Sequence, residues 1–377
     1  MKKWLVCFLA FALVLCFAAC GSAPEEEAPE ETEVEESSAS AAADDELYVA
    51  LVTDVGNIDD QSFNQACWEA VSEFAEEFDL EYAYYRPANQ SEDAVAAAID
   101  SAAAEGVDVM VCPGSLFEPI LYDLQFQYPQ IIFLMIDGEP HSAEGDTYAT
   151  APNVHCIVYQ EEQAGYLAGY AAVTEGYTKL GFVGGMEVPA VVRFGYGFIQ
   201  GADQAAQKAN SQVEINYWYS GTFDPSDEIY RTCADWYKGG TQAVFACGGK
   251  LFKSVIQAAE EGDNRHVIGV DVDQSPISAT IVTSAMKELK STAYDALCVL
   301  MDNNWIWPDD YAGATARLGA ADDATGLPTD DASWRFEKFT KDDYEALFNG
   351  LVDGSVSISD SIYQQPETVN TTVHFIR

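Results

Sequence analysis

From Leu47 onward the chain alternates short apolar runs with amphipathic stretches at helical spacing. Leu47 to Val52 reads as a strand, and Ser62 to Phe78 as a helix opened by a capping-box pattern, Ser62-Phe63-Asn64-Gln65, with Asp60 the other candidate cap. Tyr82 to Tyr85 is a second strand, and Ser91 to Glu105 an Ala-rich helix closed by Gly106. Strand Val107 to Cys112, a helix near Leu116 to Gln127 and strand Gln130 to Ile136 repeat the unit. The rhythm returns in a second set of strands: Val154 to Tyr159, Leu180 to Val183, Val213 to Tyr219, Ala243 to Cys247 and His266 to Val270. Helices Glu162 to Val173, Val188 to Asn210, Pro225 to Tyr237 and Leu251 to Glu261 lie between them, with further helices near Lys287 to Asn304 and Lys341 to Leu351.

Strands that are apolar on both faces and alternate with helices belong to parallel sheets covered on both sides. The fold class expected is therefore α/β, with two doubly wound, Rossmann-like lobes, a hinge and an interlobe cleft. Residues 47–155 plus about 286–310 are assigned to lobe 1, and 156–285 plus about 311–377 to lobe 2. In such folds ligands sit beyond the carboxyl ends of strands.

Upstream of Leu47 the pattern changes. Lys2 and Lys3 precede an unbroken apolar run from Trp4 to Ala19, short for a membrane span but suited to a signal peptide over residues 1–19. Ala18-Ala19-Cys20 resembles a bacterial lipobox, so Cys20 is the expected lipidation site. An ordinary cleaved signal and an uncleaved anchor are the alternatives. Residues 20–46 carry eleven acids and no base, and too little apolar surface to offset ordering entropy, so an extended tether is expected.

Charge narrows the function. The chain has 62 acids against 18 bases, a net charge of −44. Without the acidic segment and the two leading lysines, 51 acids still face 16 bases. Nucleic-acid binding needs clustered Lys and Arg, so it is excluded, and phosphorylated ligands are disfavoured. Six of the nine cysteines fall in the folded part, scattered through apolar patterns. Buried free thiols are expected, with one bridge the alternative. His141, His155, His266 and His374 show no paired-ligand spacing, and neither a nucleophile elbow nor a P-loop occurs. No metal, cofactor or catalytic residue is expected. The strongest enzyme alternative sets Asp54 and Asp271 across a cleft as the two carboxylates of a sugar- or nucleoside-processing enzyme. A receptor for another small polar ligand is the third reading.

The strand ends are rich in Asp, Asn and Gly, with Phe63 and Phe194 close by. Carboxylates and amides bind hydroxyls and ring N–H groups, and an aromatic face stacks on a flat ring. A neutral polyol, sugar or nucleoside suits that chemistry.

Several of these segments also carry a resemblance. Asp54-x-Gly56-x-x-Asp59-Asp60-x-Ser62-Phe63-Asn64, Tyr166-Leu167-Ala168-Gly169, Gly184-Gly185-Met186-x-x-Pro189, Arg193-Phe194-x-x-Gly197-Phe198 and Gly269-Val270-Asp271-Val272-Asp273-Gln274 are similar, in order, to the basic membrane protein family. The similarity covers roughly residues 47 to 300. It implies a type I periplasmic-binding fold and a lipoprotein that hands purine nucleosides (guanosine, inosine, adenosine) to an ABC permease and its ATPase. The location implied is the outer face of a bacterial cell membrane, held there by the lipid. It further implies that Asp54 and Asn64 bond the purine edge while Phe63 and Phe194 sandwich its faces. Asp137, Asp271 and Lys287 would reach the ribose, with Gly248 allowing close backbone approach. Each also has a plainer reading: Asp54 as a turn cap, Asn64 as a helix-start residue, the two Phe as core, Asp271 as a loop acid, Lys287 as a partner for a nearby acid. After Gly249 the chain departs from the family pattern, with Lys250 and Leu251 in place of Gly and small residues.

Overall fold

The computed structural model describes residues 47–54 and 56–376. The expected signal peptide, Cys20 and the acidic tether lie outside them. Two parallel sheets carry the fold. In the first, β1 (Tyr48–Val52), β2 (Glu81–Tyr85), β3 (Val109–Pro113), β4 (Ile132–Ile136) and β5 (Val154–Tyr159) are connected through α1 (Phe63–Phe78), α2 (Glu92–Ala104) and α3 (Glu118–Gln127). In the second, β6 (Lys179–Gly184), β7 (Val213–Tyr219), β8 (Ala243–Cys247), β9 (His266–Asp271) and β10 (Ile281–Lys287) are served by α4 (Glu161–Glu175), α5 (Pro189–Ala209), α6 (Asp227–Lys238) and α7 (Phe252–Ala259). The chain then returns through α8 (Leu289–Asp302) and β11 (Thr315–Leu318) to the first lobe. It ends in the second with β12 (Thr325–Gly326), α9 (Lys341–Val352) and β13 (Thr371–Ile376).

The first sheet has the order β11-β5-β4-β3-β1-β2 and the second β12-β10-β9-β8-β6-β7-β13, with only β12 antiparallel to its neighbour. These are the doubly wound lobes of the type I periplasmic-binding fold. The lobe boundary differs from the sequence assignment. Val154 to Tyr159 does not open the second lobe but pairs in parallel with β4, and Thr315 to Leu318 pairs with β5. Chain order alone does not say which sheet a strand joins. The main chain therefore passes between the lobes at 159–161, 287–289 and 318–325.

The helices cover these sheets with apolar faces. In the first lobe α1 and α8 close over one side of the sheet through Phe74, Ala70, Leu297 and Leu300. In the second, α4 and α5 pack unusually close. A Cβ on Gly165 or Gly169 would lie 2.1 Å from the carbonyl oxygen of Phe194 or Phe198. On the facing helix, a Cβ on Gly197 or Gly201 would meet the carbonyls of Glu162 and Tyr166 just as closely. The Tyr166-Leu167-Ala168-Gly169 motif thus serves helix packing. It sets where α5, and with it Phe194, stands relative to the crossing at Glu161. All six cysteines of the folded part are free thiols.

Candidate functional site

Turns following the carboxyl ends of the strands face one another across the lobes and enclose a cavity of about 230 Å³. Asp54, Phe63, Asn64 and Asp137 line it from the first lobe, and Phe194, Gly248 and Asp271 from the second. Lys287 joins them from the last residue of β10, at a crossing. All eight residues expected at a ligand site therefore line one cavity. Lys287, expected to begin a helix, instead ends a strand, which is what brings it to the cleft.

The first turn after β1 is held by carboxylates. Asp54 Oδ1 accepts from the Gly56 N–H at 2.6 Å and from Asn64 Nδ2 at 2.9 Å, which fixes the plane of the carboxylate. A Cβ on Gly56 would fall 2.2 Å from Asn64 Nδ2, so that approach requires glycine. Asp54 Oδ2 has no hydrogen-bond partner among the described residues. Burial pushes the Asp54 carboxyl up to about 6, with the Gly56 and Asn64 bonds pulling the other way. Helix α1 is capped by Asp60 rather than by Ser62: the Asp60 carboxylate accepts the N–H groups of Ser62, Asn64 and Gln65. That frees the Ser62 hydroxyl, which donates to Asp271 Oδ2 at 2.6 Å on the other lobe. Asn64 orients Asp54 and also touches Asp60 through Nδ2, so its amide is spent largely within the loop.

At the base of the cleft Lys287 is buried among acids. Its Nζ bonds Asp137 Oδ2 and lies 3.5 Å from Glu161 Oε1 and 3.8 Å from Asp271 Oδ1. The same ammonium stands 4.9, 5.3 and 5.6 Å from the ring centroids of Phe63, Tyr159 and Phe194, within cation–π range of all three. Phe63 and Phe194 thus lie on either lobe around one cation, with centroids at most about 10.5 Å apart by those distances. Burial opposes the Lys287 charge, but Asp137, Glu161 and Asp271 outweigh it and raise its basicity. Asp137 and Asp271 occupy matching places at the ends of β4 and β9, both with left-handed backbones (φ 62 and 66°). Asp tolerates this conformation better than most residues, and such strain gathers at functional sites.

Glu161 and Glu162 open α4, where first-turn acids are favoured by the helix dipole. Both are buried. Glu161 Oε2 accepts from Arg193 Nε at 2.5 Å. Burial alone would lift the Glu161 carboxyl, but Arg193 and Lys287 hold it below the usual range. Glu162 is pushed up to about 7 by burial and by the charge of Glu161. No signal at those positions distinguishes them from a dipole-favoured helix start; only the partners do. Phe223, four residues past the end of β7, also lines the cavity, and its local sequence carries no signal that sets it apart from a loop aromatic. A Cβ on Gly248 would sit 2.7 Å from its ring, and Gly248 has φ 123°, so glycine there accommodates Phe223 as well as the cavity.

A model of the family described as ABC transporter substrate-binding protein PnrA-like matches residues 47–347. Basic membrane protein B of Borreliella burgdorferi is 29% identical over 288 residues, 75% of this chain and 81% of that protein. The ABC transporter nucleoside-binding protein BmpA of Lactococcus lactis is 26% identical over 66% of this chain and 74% of its own. Among solved structures, an ABC transporter solute-binding protein from Aeropyrum pernix superposes with a TM-score of 0.72 at 22% identity, covering 84% of this chain and 94% of that one. A second, from Conexibacter woesei, gives 0.64 at 22% identity, covering 83% and 99%. The fold, the interlobe cavity and the match over most of the folded chain agree: this chain belongs to the PnrA-like (Bmp) family of ABC transporter substrate-binding proteins.

Proposed function

We propose that this protein is the lipid-anchored, extracytoplasmic receptor of an ABC importer and that its cleft takes a purine nucleoside by binding alone, without chemistry. The observation that carries the reading is the convergence of Phe63 and Phe194, from opposite lobes, around a cavity otherwise lined by oriented carboxylates. On this reading the two rings, one from each lobe, take a flat base between them. Asp54 Oδ2 suits a donor on its edge. Asp137, Asp271 and Lys287 suit ribose hydroxyls. The nucleoside-binding name of the Lactococcus relative points the same way. The lobes would close over the ligand by bending at the three crossings, and the closed form would be what the permease and its ATPase recognise.

Calorimetry on the full chain in detergent, titrated with guanosine, inosine and adenosine, tests it. A one-to-one heat signal with at least one of them is expected. Absence of binding to all three removes the nucleoside reading. Mass spectrometry of the mature chain tests the anchor: Cys20 as the N-terminal residue carrying acyl chains is expected, and an unmodified Cys20 would reject lipidation at that residue.

A further inference from the structure

The lobes are joined at the cleft by links of two kinds. Among the described residues two are buried, Lys287 to Asp137 and Ser62 Oγ to Asp271 Oδ2 at 2.6 Å, and a third, Gln274 Nε2 to the carbonyl of the exposed Gln61 at 3.0 Å, is buried on one side. The fourth is at the mouth. Lys250 Nζ, from the turn after β8 in the second lobe, lies 2.5 Å from Asp59 Oδ1 in the loop after β1 in the first. The Asp59 side chain is 70% exposed and that of Lys250 is 22% exposed. Lys250 lines the cavity while its partner Asp59 is exposed, so the pair stands at the cavity's edge. Gly248 and Gly249, with φ of 123 and 52°, turn the chain so that Lys250 reaches across rather than away. The carboxylate of Asp59 is held below the usual range mainly by its bond to Lys250, with Lys253, in the first turn of α7, adding to the pull.

We propose that Asp59 and Lys250 form a strap across the cleft mouth, which parts to admit the ligand, re-forms behind it and so sets the rate of release. This rests on the cleft being the binding site. Two consequences separate the strap from the buried links. An exposed pair is weak, so cutting it should speed release by only about two- to fivefold. It is also screened by salt, whereas the buried links are screened far less. Release of an uncharged ligand would then depend on ionic strength, which contacts between ligand and cleft alone do not predict.

The test uses two readouts. Stopped-flow release of guanosine is measured at about 50 mM and about 1 M salt, where the screening length falls from well over 10 Å to about 3 Å. Interlobe distances are measured without ligand by pulsed dipolar spectroscopy. Spin labels go at Asp93→Cys on α2 and Asp235→Cys on α6, both exposed, in a Cys298→Ser background. Wild type should release faster and show longer, broader distances at high salt. Lys250→Ala should behave that way at both salts, and the swapped pair Asp59→Lys/Lys250→Asp should return to wild-type behaviour. Lys250→Ala matching wild type in both readouts at low salt overturns the strap, as does a swapped pair that behaves like Lys250→Ala. If none of guanosine, inosine and adenosine binds, the nucleoside reading fails, and the distances alone still decide the strap.

Discussion

Replacing Lys287 by Met tests how the base of the cleft is held. Lys287 is buried, and its ammonium faces Asp137, Glu161 and Asp271. Met fills a similar volume without charge, so the packing loss is small and the electrostatic loss dominates. Glu161 keeps Arg193, but Asp137 and Asp271 lose their only cationic contact among the described residues. Breaking a buried pair in this way costs about 3–5 kcal/mol. The folded unit spans Glu46–Arg377. At about 2.1 cal/mol/K per residue, that cost corresponds to a fall of about 4–7 °C in melting temperature. The loss has a direction in pH. Burial raises the carboxyl of Asp137, to about 7, and that of Asp271 above their unfolded values, and removing Lys287 raises both further. A carboxyl with a raised folded pKa favours folding below the unfolded value, about 3.9 for Asp, and that advantage is lost as pH climbs through the folded value. The gap between variant and wild type should therefore be small near pH 4 and widest above pH 7. Scanning calorimetry of the ligand-free protein from pH 4 to 8 measures it, and adding Asp137→Asn to the variant should recover part of the stability by removing one orphaned charge. A decrement under about 1 kcal/mol, or one that stays flat with pH, would refute the account of Lys287 as the counter-charge of this cluster.

Three other outcomes follow from the same geometry. Phe194→Ala should weaken nucleoside binding by at least about tenfold, the low-to-middle range for loss of one stacked base contact, and an unchanged dissociation constant would take Phe194 out of the site. Gly169→Ala drives a Cβ to 2.1 Å from the Phe198 carbonyl, so α4 and α5 must separate; a loss of about 1–3 kcal/mol in urea unfolding is expected. For Asp54, raised to about 6, a ligand that donates to the ionised carboxylate binds best above that pH, and affinity should fall by up to about tenfold per unit below it. Titration calorimetry at pH 5, 6 and 7.5 checks this, with Asp54→Asn expected to be weak and flat.

The parallel sheets were legible because strands buried on both faces appear as apolar runs, and β5, β7 and β8 fall on the expected residues. Strand β10 was not, because Thr283, Ser284 and Lys287 interrupt its apolar pattern while remaining buried. Ser284 is accommodated by accepting the Gln274 N–H, and Lys287 by its acids, partners that no local window contains. Strands β11 and β13 lie at sheet edges, where the two-sided apolar signal is lost. At the site, reading strand ends located Asp54, Asp137 and Asp271, since the fold delivers those positions to the cleft. It did not show that Ser62 bridges the lobes while Asp60 caps the helix, because both assignments satisfy the same local spacing.

A buried ion cluster is weak evidence for stability, since desolvation offsets much of the attraction. The cluster at the base of this cleft is also incomplete. Asp137 Oδ1, Glu161 Oε1 and Glu162 Oε2 are buried without a hydrogen-bond partner among the described residues. Each such acceptor is costly in a dry setting and inexpensive once a donor reaches it. Of the three residues, Asp137 lines the cavity. A ligand that presents hydroxyl groups there supplies the missing donor, and part of its affinity is then relief of a penalty already present in the empty protein. An anionic ligand would do the reverse, adding charge to a cluster where acids already outnumber bases. On the proposed nucleoside reading, the surplus of acid across the sequence and the acceptors at the cleft base would both favour a neutral ligand rich in donors.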